Sequence, residues 1–174
     1  MKTNLNKLVL TGILIAAGVV LPIAFHAIPN AGSIFLPMHI PVFICGLLCG
    51  FPYGLICGVL TPLLSSLLTG MPPAAYLPAM LCELAAYGLI SSLLMQIIHT
   101  PNRYLNLYAC LIGAMLCGRI VYGILNSLIF RAGSYSLPLW LTSAFVTSLP
   151  GILIQLVFIP AIVIALQKAK LAKS

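Results

Sequence analysis

The sequence contains a single acidic side chain, Glu83, in 174 residues. That scarcity excludes a pair of carboxylates for general acid–base work and an acidic cage for a hard metal ion. Lysine is missing between Lys7 and Lys168, and no G-x-x-x-x-G-K-[ST] run occurs, so ATP cannot be held by a P-loop. H-E-x-x-H and G-x-S-x-G are also absent. With no acid/base or metal constellation, an integral-membrane enzyme is disfavoured and the chain reads as a non-enzyme without a cofactor. Charged residues make up only 5% of the sequence, against 62% hydrophobic, and the mean hydropathy is +1.19. The surroundings this composition suits are lipid.

A membrane span needs about 20 apolar residues. Segments at roughly 6–28, 36–50, 53–69, 77–98, 107–130 and 139–167 approach that length, which predicts an all-α integral membrane protein of six transmembrane helices, one domain over residues 1–174. The second and third are short and joined by a tight Gly50-Phe51-Pro52-Tyr53 turn, so tilted, partly re-entrant and neighbour-shielded arrangements all fit. The net charge of +7 is not gathered into a basic face. Lys2 and Lys7 precede the first span, Arg103 lies between the fourth and fifth, and Lys168, Lys170 and Lys173 follow the sixth; only Arg131 falls in an outer loop. The positive-inside rule then places both termini in the cytoplasm, and nucleic acid is not needed to explain the charge. The N-terminus resembles a signal peptide, with Ala31-Gly32-Ser33 as a cleavage-like site, but its apolar stretch is too long and is read as a retained helix.

The outer loops carry the irregular sequence: His26 to Pro37, then Thr69 to Tyr76 with Gly70-Met71-Pro72-Pro73, then Arg131 to Pro138 ahead of Trp140. Stretches so polar and kinked belong over a cavity or in the interface. Small residues recur at four-residue spacing in Gly46, Gly50, Gly54 and Gly58, and again in Gly12 and Ala16. Such spacing lets helix backbones approach closely. Internal packing is the preferred reading of the first series; for Gly12, Ala16 and Ala17 a docking face for another membrane protein is the alternative. The six cysteines all fall in proposed spans and read as packing residues, since Cys45 and Cys49 have no second ligand pair. Thr61, Ser65 and Ser66 are expected to bond their own helix backbone.

An acid within lipid is a functional-site candidate by default. Glu83 and Tyr87 share one helical face, as do Arg119, Tyr122 and Asn126 at i, i+3 and i+7. Pointed inward, these faces offer a carboxylate, a guanidinium, an amide and two phenols to a polar aromatic ligand. The competing reading is a structural Glu83–Arg119 ion pair that locks two helices. His26, His39 and His99 are too scattered for a metal site; His39 is a ligand contact or, preferably, a hydrogen-bonded residue opening its helix. A free-standing proton-coupled carrier, with Glu83 titrating, is the alternative transport mechanism, although no three-plus-three internal repeat supports it.

Leu36-Pro37-Met38-His39-Ile40-Pro41-Val42, the Gly46 to Gly58 series, Leu60-Thr61-Pro62-Leu63-Leu64-Ser65, Gly70-Met71-Pro72-Pro73 and Glu83-Leu84-Ala85-Ala86-Tyr87-Gly88 resemble the substrate-binding S components of energy-coupling factor (ECF) transporters. The resemblance spans roughly residues 8–165, as does the six-helix, basic-ended layout. It implies a bacterial cytoplasmic-membrane subunit that binds a vitamin or related small micronutrient near the outer face and topples to release it inside. The implied partners are a transmembrane coupling protein and two cytoplasmic ATPases. Family members present a small-xxx-small stripe in helix one to the coupling protein, which Gly12 and Ala16 match in kind, although the family prefers Ala at both places. The resemblance favours Glu83, Tyr87, Arg119, Tyr122 and Asn126 as ligand contacts, with Tyr76, Tyr135 and Trp140 as lid or wall. A carboxylate suits purine-like N–H donors and Arg119 an acid such as pantothenate; queuosine precursors and pyridoxine-type compounds are further family substrates. Neither inference survives if Glu83 and Arg119 pair with each other.

Overall fold

A computed structural model describes residues 2–25, 30–130, 133 and 135–169. Helix α1 spans Lys2–Ala24, α2 Ala31–Phe35, α3 His39–Cys49, α4 Tyr53–Thr69, α5 Leu77–Ile97, α6 Arg103–Leu125, α7 Leu137–Leu141 and α8 Leu149–Lys168. Wider π turns extend α6 over Asn126–Phe130 and α7 over Thr142–Thr147. The described residues include no strand. His26, Arg131, Lys170 and Lys173 lie outside them.

Helix ends follow local chemistry. Gly70 closes α4 at φ 71°, its N–H donating to the Ser66 carbonyl, the left-handed cap that glycine adopts without a Cβ penalty. Asn102 opens α6 by accepting from the N–H groups of Tyr104 and Leu105, as an N-cap does. Leu36 is a non-glycine residue in the left-handed region at φ 51°. It separates α2 from α3, because Pro37 has no N–H with which to continue the helix.

Five segments are long and apolar enough to cross a membrane: Asn4–Ala24, Ala31–Cys49, Leu77–Ile97, Arg103–Phe130 and Leu149–Lys168. Tyr53–Thr69 is apolar but shorter, at 17 residues. The expected sixth segment, 139–167, is not one helix; it breaks between Thr147 and Leu149. Hydroxyls cause much of this. Thr142 donates to the Pro138 carbonyl (2.8 Å), Ser143 to Trp140 (3.1 Å) and Ser148 to Ala144 (2.6 Å), back-bonding that bends and loosens helices. Pro150 then supplies a natural restart within the first turn of α8.

Helix α3 lies at the centre, packed by α1, α4, α5, α6 and α8. Ten of its eleven residues are buried, all but Ile40, so the neighbour-shielded reading of this short segment holds. Glycines let the helices close on it. A Cβ on Gly54 or Gly88 would run into the other's backbone carbonyl, and one on Gly58 into that of Leu84. Gly12 is different, with nothing within 4 Å of where a Cβ would sit. Cys45, Cys49, Cys57 and Cys110 are buried in the core, and all six cysteines are free. The expectation for α4 hydroxyls was wrong: Ser66 donates to the Pro72 carbonyl at 2.9 Å, Thr61 lies 3.7 Å from Cys57 Sγ, and Ser65 has no partner. The contacts that form are local all the same, four residues apart for Thr61 and Cys57 and six apart for Ser66 and Pro72. Back-bonding occurs at Thr69 of the same helix and at Ser91 and Ser92 of α5.

The helices alternate in direction. Gly50 lies against Gln96 and Arg103 donates to Gln167, which brings the α3–α4 turn, the α5–α6 turn and the end of α8 to one end of the bundle.

Candidate functional site

At the opposite end, α5 presents Glu83 and Tyr87 one turn apart, and the Tyr87 hydroxyl donates to Glu83 Oε1 at 2.8 Å. Arg119 of α6 donates from Nη1 to the same oxygen at 3.1 Å and from Nη2 to Ser148 Oγ at 3.2 Å. All four residues are buried. His39, opening α3, brings Nε2 to 3.9 Å from Glu83 Oε1, and its ring centroid lies 5.4 Å from that of Tyr87. Gly118 makes the crossing possible, since a Cβ there would overlap the Tyr87 ring.

Glu83 and Arg119 therefore meet, and the competing reading of an ion pair is the observed arrangement. Removing two charges from water is costly, and such a pair persists only with good geometry and further hydrogen bonds. Here Tyr87 and Ser148 supply them. The pairing removes the argument for a purine-like ligand from Glu83 alone and for an acid from Arg119 alone, because each charge is already answered.

Of the remaining candidates, Trp140 adjoins this centre. Trp140 donates its indole N–H to the Arg119 carbonyl at 3.1 Å and packs on Gly123, where a Cβ would strike its ring. Beside it is a cavity of about 340 Å³ lined by Ile120, Gly123, Ile124, Tyr135 and Leu137 among others. Tyr135 Oη also lies 3.4 Å from Ser143 Oγ. Asn126 is buried but turns its amide to the Tyr122 carbonyl of its own helix at 2.8 Å. Tyr122 is half-buried one turn before it, and Tyr76 is half-exposed before α5. On α1, Gly12 and Ala16 are exposed and Ala17 is half-buried. His39 does open a helix, but its ring has no hydrogen-bond partner, contrary to the preferred expectation.

Two contributors escaped the sequence reading. Gln155 is buried on α8 and donates to the Leu36 carbonyl at 3.4 Å; as an uncharged polar side chain in a long apolar run, it bore the same signal as Glu83. Ser148 bore none, being one hydroxyl in a Ser/Thr-rich stretch. Trp140→Phe, which keeps a ring and deletes the donor to Arg119, is expected to cost about 1 kcal/mol, seen as a lower melting temperature. An unchanged melting temperature would show that the bond is not formed.

A helical bundle with five segments long and apolar enough to cross a membrane, and a buried, charge-balanced polar cluster toward one end, has the makeup of a polytopic protein. The model of one family, the ECF transporter substrate-specific component, matches residues 6–169, and the chain belongs to that family. It is a substrate-specific subunit of an ECF transporter, a multi-pass membrane protein whose role is to bind substrate and not to catalyse. Comparisons with curated proteins and with solved structures give no match.

Proposed function

We propose that this subunit captures a vitamin or related heteroaromatic micronutrient at the outer face of a bacterial cytoplasmic membrane. It delivers the compound inward with a transmembrane coupling protein and two cytoplasmic ATPases. The observation that carries this reading is the buried cluster of Glu83, Tyr87, Arg119 and His39 at the end of the bundle away from Arg103 and Lys168. The single domain crosses six times with both termini in the cytoplasm, and α4 serves as the sixth span. Its 17 residues rise about 1.5 Å each and reach the short end of the spanning range. Trp140, Tyr135, Tyr122, Asn126 and Tyr76 form the wall and lid. Native mass spectrometry of gently purified protein tests the reading: a small molecule retained at one-to-one stoichiometry is expected, and a protein that binds no metabolite sinks it.

The exposed Gly12–Ala16 face of α1 supports docking of the coupling protein, with Ala17 at its edge. Gly12→Leu combined with Ala16→Leu is expected to leave folding intact, since neither site is packed. Recovery of the co-expressed coupling protein on affinity purification should fall at least tenfold. Full recovery would place the docking surface elsewhere.

A further inference from the structure

Hydrogen-bonding capacity is unevenly distributed in the cluster. Glu83 Oε1 already accepts from Tyr87 and Arg119, and Arg119 also donates to Ser148. The Trp140 indole and the Asn126 amide are committed to backbone carbonyls. His39 is the exception. It is 2% exposed, neither ring nitrogen has a partner, and Nε2 stops 3.9 Å from Glu83 Oε1, beyond hydrogen-bond reach. A buried polar group left unpaired is unfavourable and calls for a specific reason.

Charge sets the next constraint. Arginine is always protonated, so Arg119 balances the chain's one carboxylate. A protonated His39 would be a second buried cation against one anion, so the imidazole is the neutral partner, with one donor and one acceptor. A charged ligand would bring a charge that the Glu83–Arg119 pair, already neutral as a unit, does not balance, and burying an unbalanced charge is costly.

Resting on the reading of this chain as a binding subunit, we infer that His39, and not the Glu83–Arg119 pair, makes the polar contact that selects the ligand. The ligand is uncharged and offers a donor or an acceptor to one ring nitrogen of His39, as a lactam, a carboxamide or a neutral azaheterocycle does. The ion pair stays closed behind it as a neutral support.

The test offers purified protein three pools of low-mass metabolites from a bacterial extract, divided by ion exchange into anionic, cationic and uncharged fractions. Native mass spectrometry reads which pool adds mass. The uncharged pool alone is expected to do so. A mass increment from a charged pool overturns this inference while leaving the binding-subunit reading in place, and no increment from any pool overturns both. With the bound compound in hand, His39→Leu is expected to weaken binding by roughly 10–100-fold. The ligand-free melting temperature should hold or rise, because the deleted nitrogens had no partner. Unchanged affinity with a lowered melting temperature would make His39 a structural residue and overturn the assignment.

Discussion

Arg119→Met alone is expected to lower stability by about 3–5 kcal/mol, because it strands a buried carboxylate without its counter-charge. Glu83 would keep the Tyr87 hydroxyl, 2.8 Å away, but one neutral hydrogen bond does not replace a guanidinium. Glu83→Gln alone strands Arg119 instead. The double variant, Glu83→Gln with Arg119→Met, is expected to recover most of the loss, since a buried pair replaced by uncharged groups of similar size is often close to neutral. Equilibrium unfolding in detergent followed by circular dichroism measures all three. Strictly additive losses would mean that the two residues do not act as a pair, whatever their 3.1 Å separation.

The second large effect is at the crossing of α4 and α5. Gly88→Ala is expected to cost about 1–3 kcal/mol and Gly88→Leu more, because the new side chain meets the Gly54 backbone and not a movable side chain. Backbone cannot rotate aside, so the helices must part and release contacts along their length. Gly12→Ala provides the internal comparison. It adds the same methyl group where nothing lies within 4 Å, and its stability should match or exceed wild type. Equal losses at the two positions would remove close packing as the explanation for the Gly46 to Gly58 series.

These glycines show what a sequence can and cannot disclose. Spacing identified a face of small residues in both places, but spacing is a property of one helix, and the partner across it is not. Gly54 and Gly88 face each other while Gly12 faces outward, a difference set by tertiary packing. The same limit applied at the site. Composition singles out Glu83, and helical periodicity puts Tyr87 beside it and Arg119 on one face with Tyr122 and Asn126, yet whether the charges meet depends on how α5 and α6 are turned and set in depth. Ser148 was illegible because its role arises only where the last apolar segment breaks, and that break comes from several hydroxyls acting together. His39 was placed correctly at a helix start, but its lack of a partner is a fact about five neighbouring elements and not about its own.

Helix α3 is the shortest of the central elements, at 11 residues, and nearly every one of them touches protein and not lipid. A helix so enclosed is indifferent to the thickness of the bilayer, because hydrophobic mismatch acts only where side chains meet acyl chains. Thinning or thickening of the membrane is therefore borne by α1, α6 and α8, whose outward faces carry residues such as Leu5, Ile120 and Val157, each at least half exposed. The element that carries His39 is thus held beside Glu83 by protein neighbours and not by lipid.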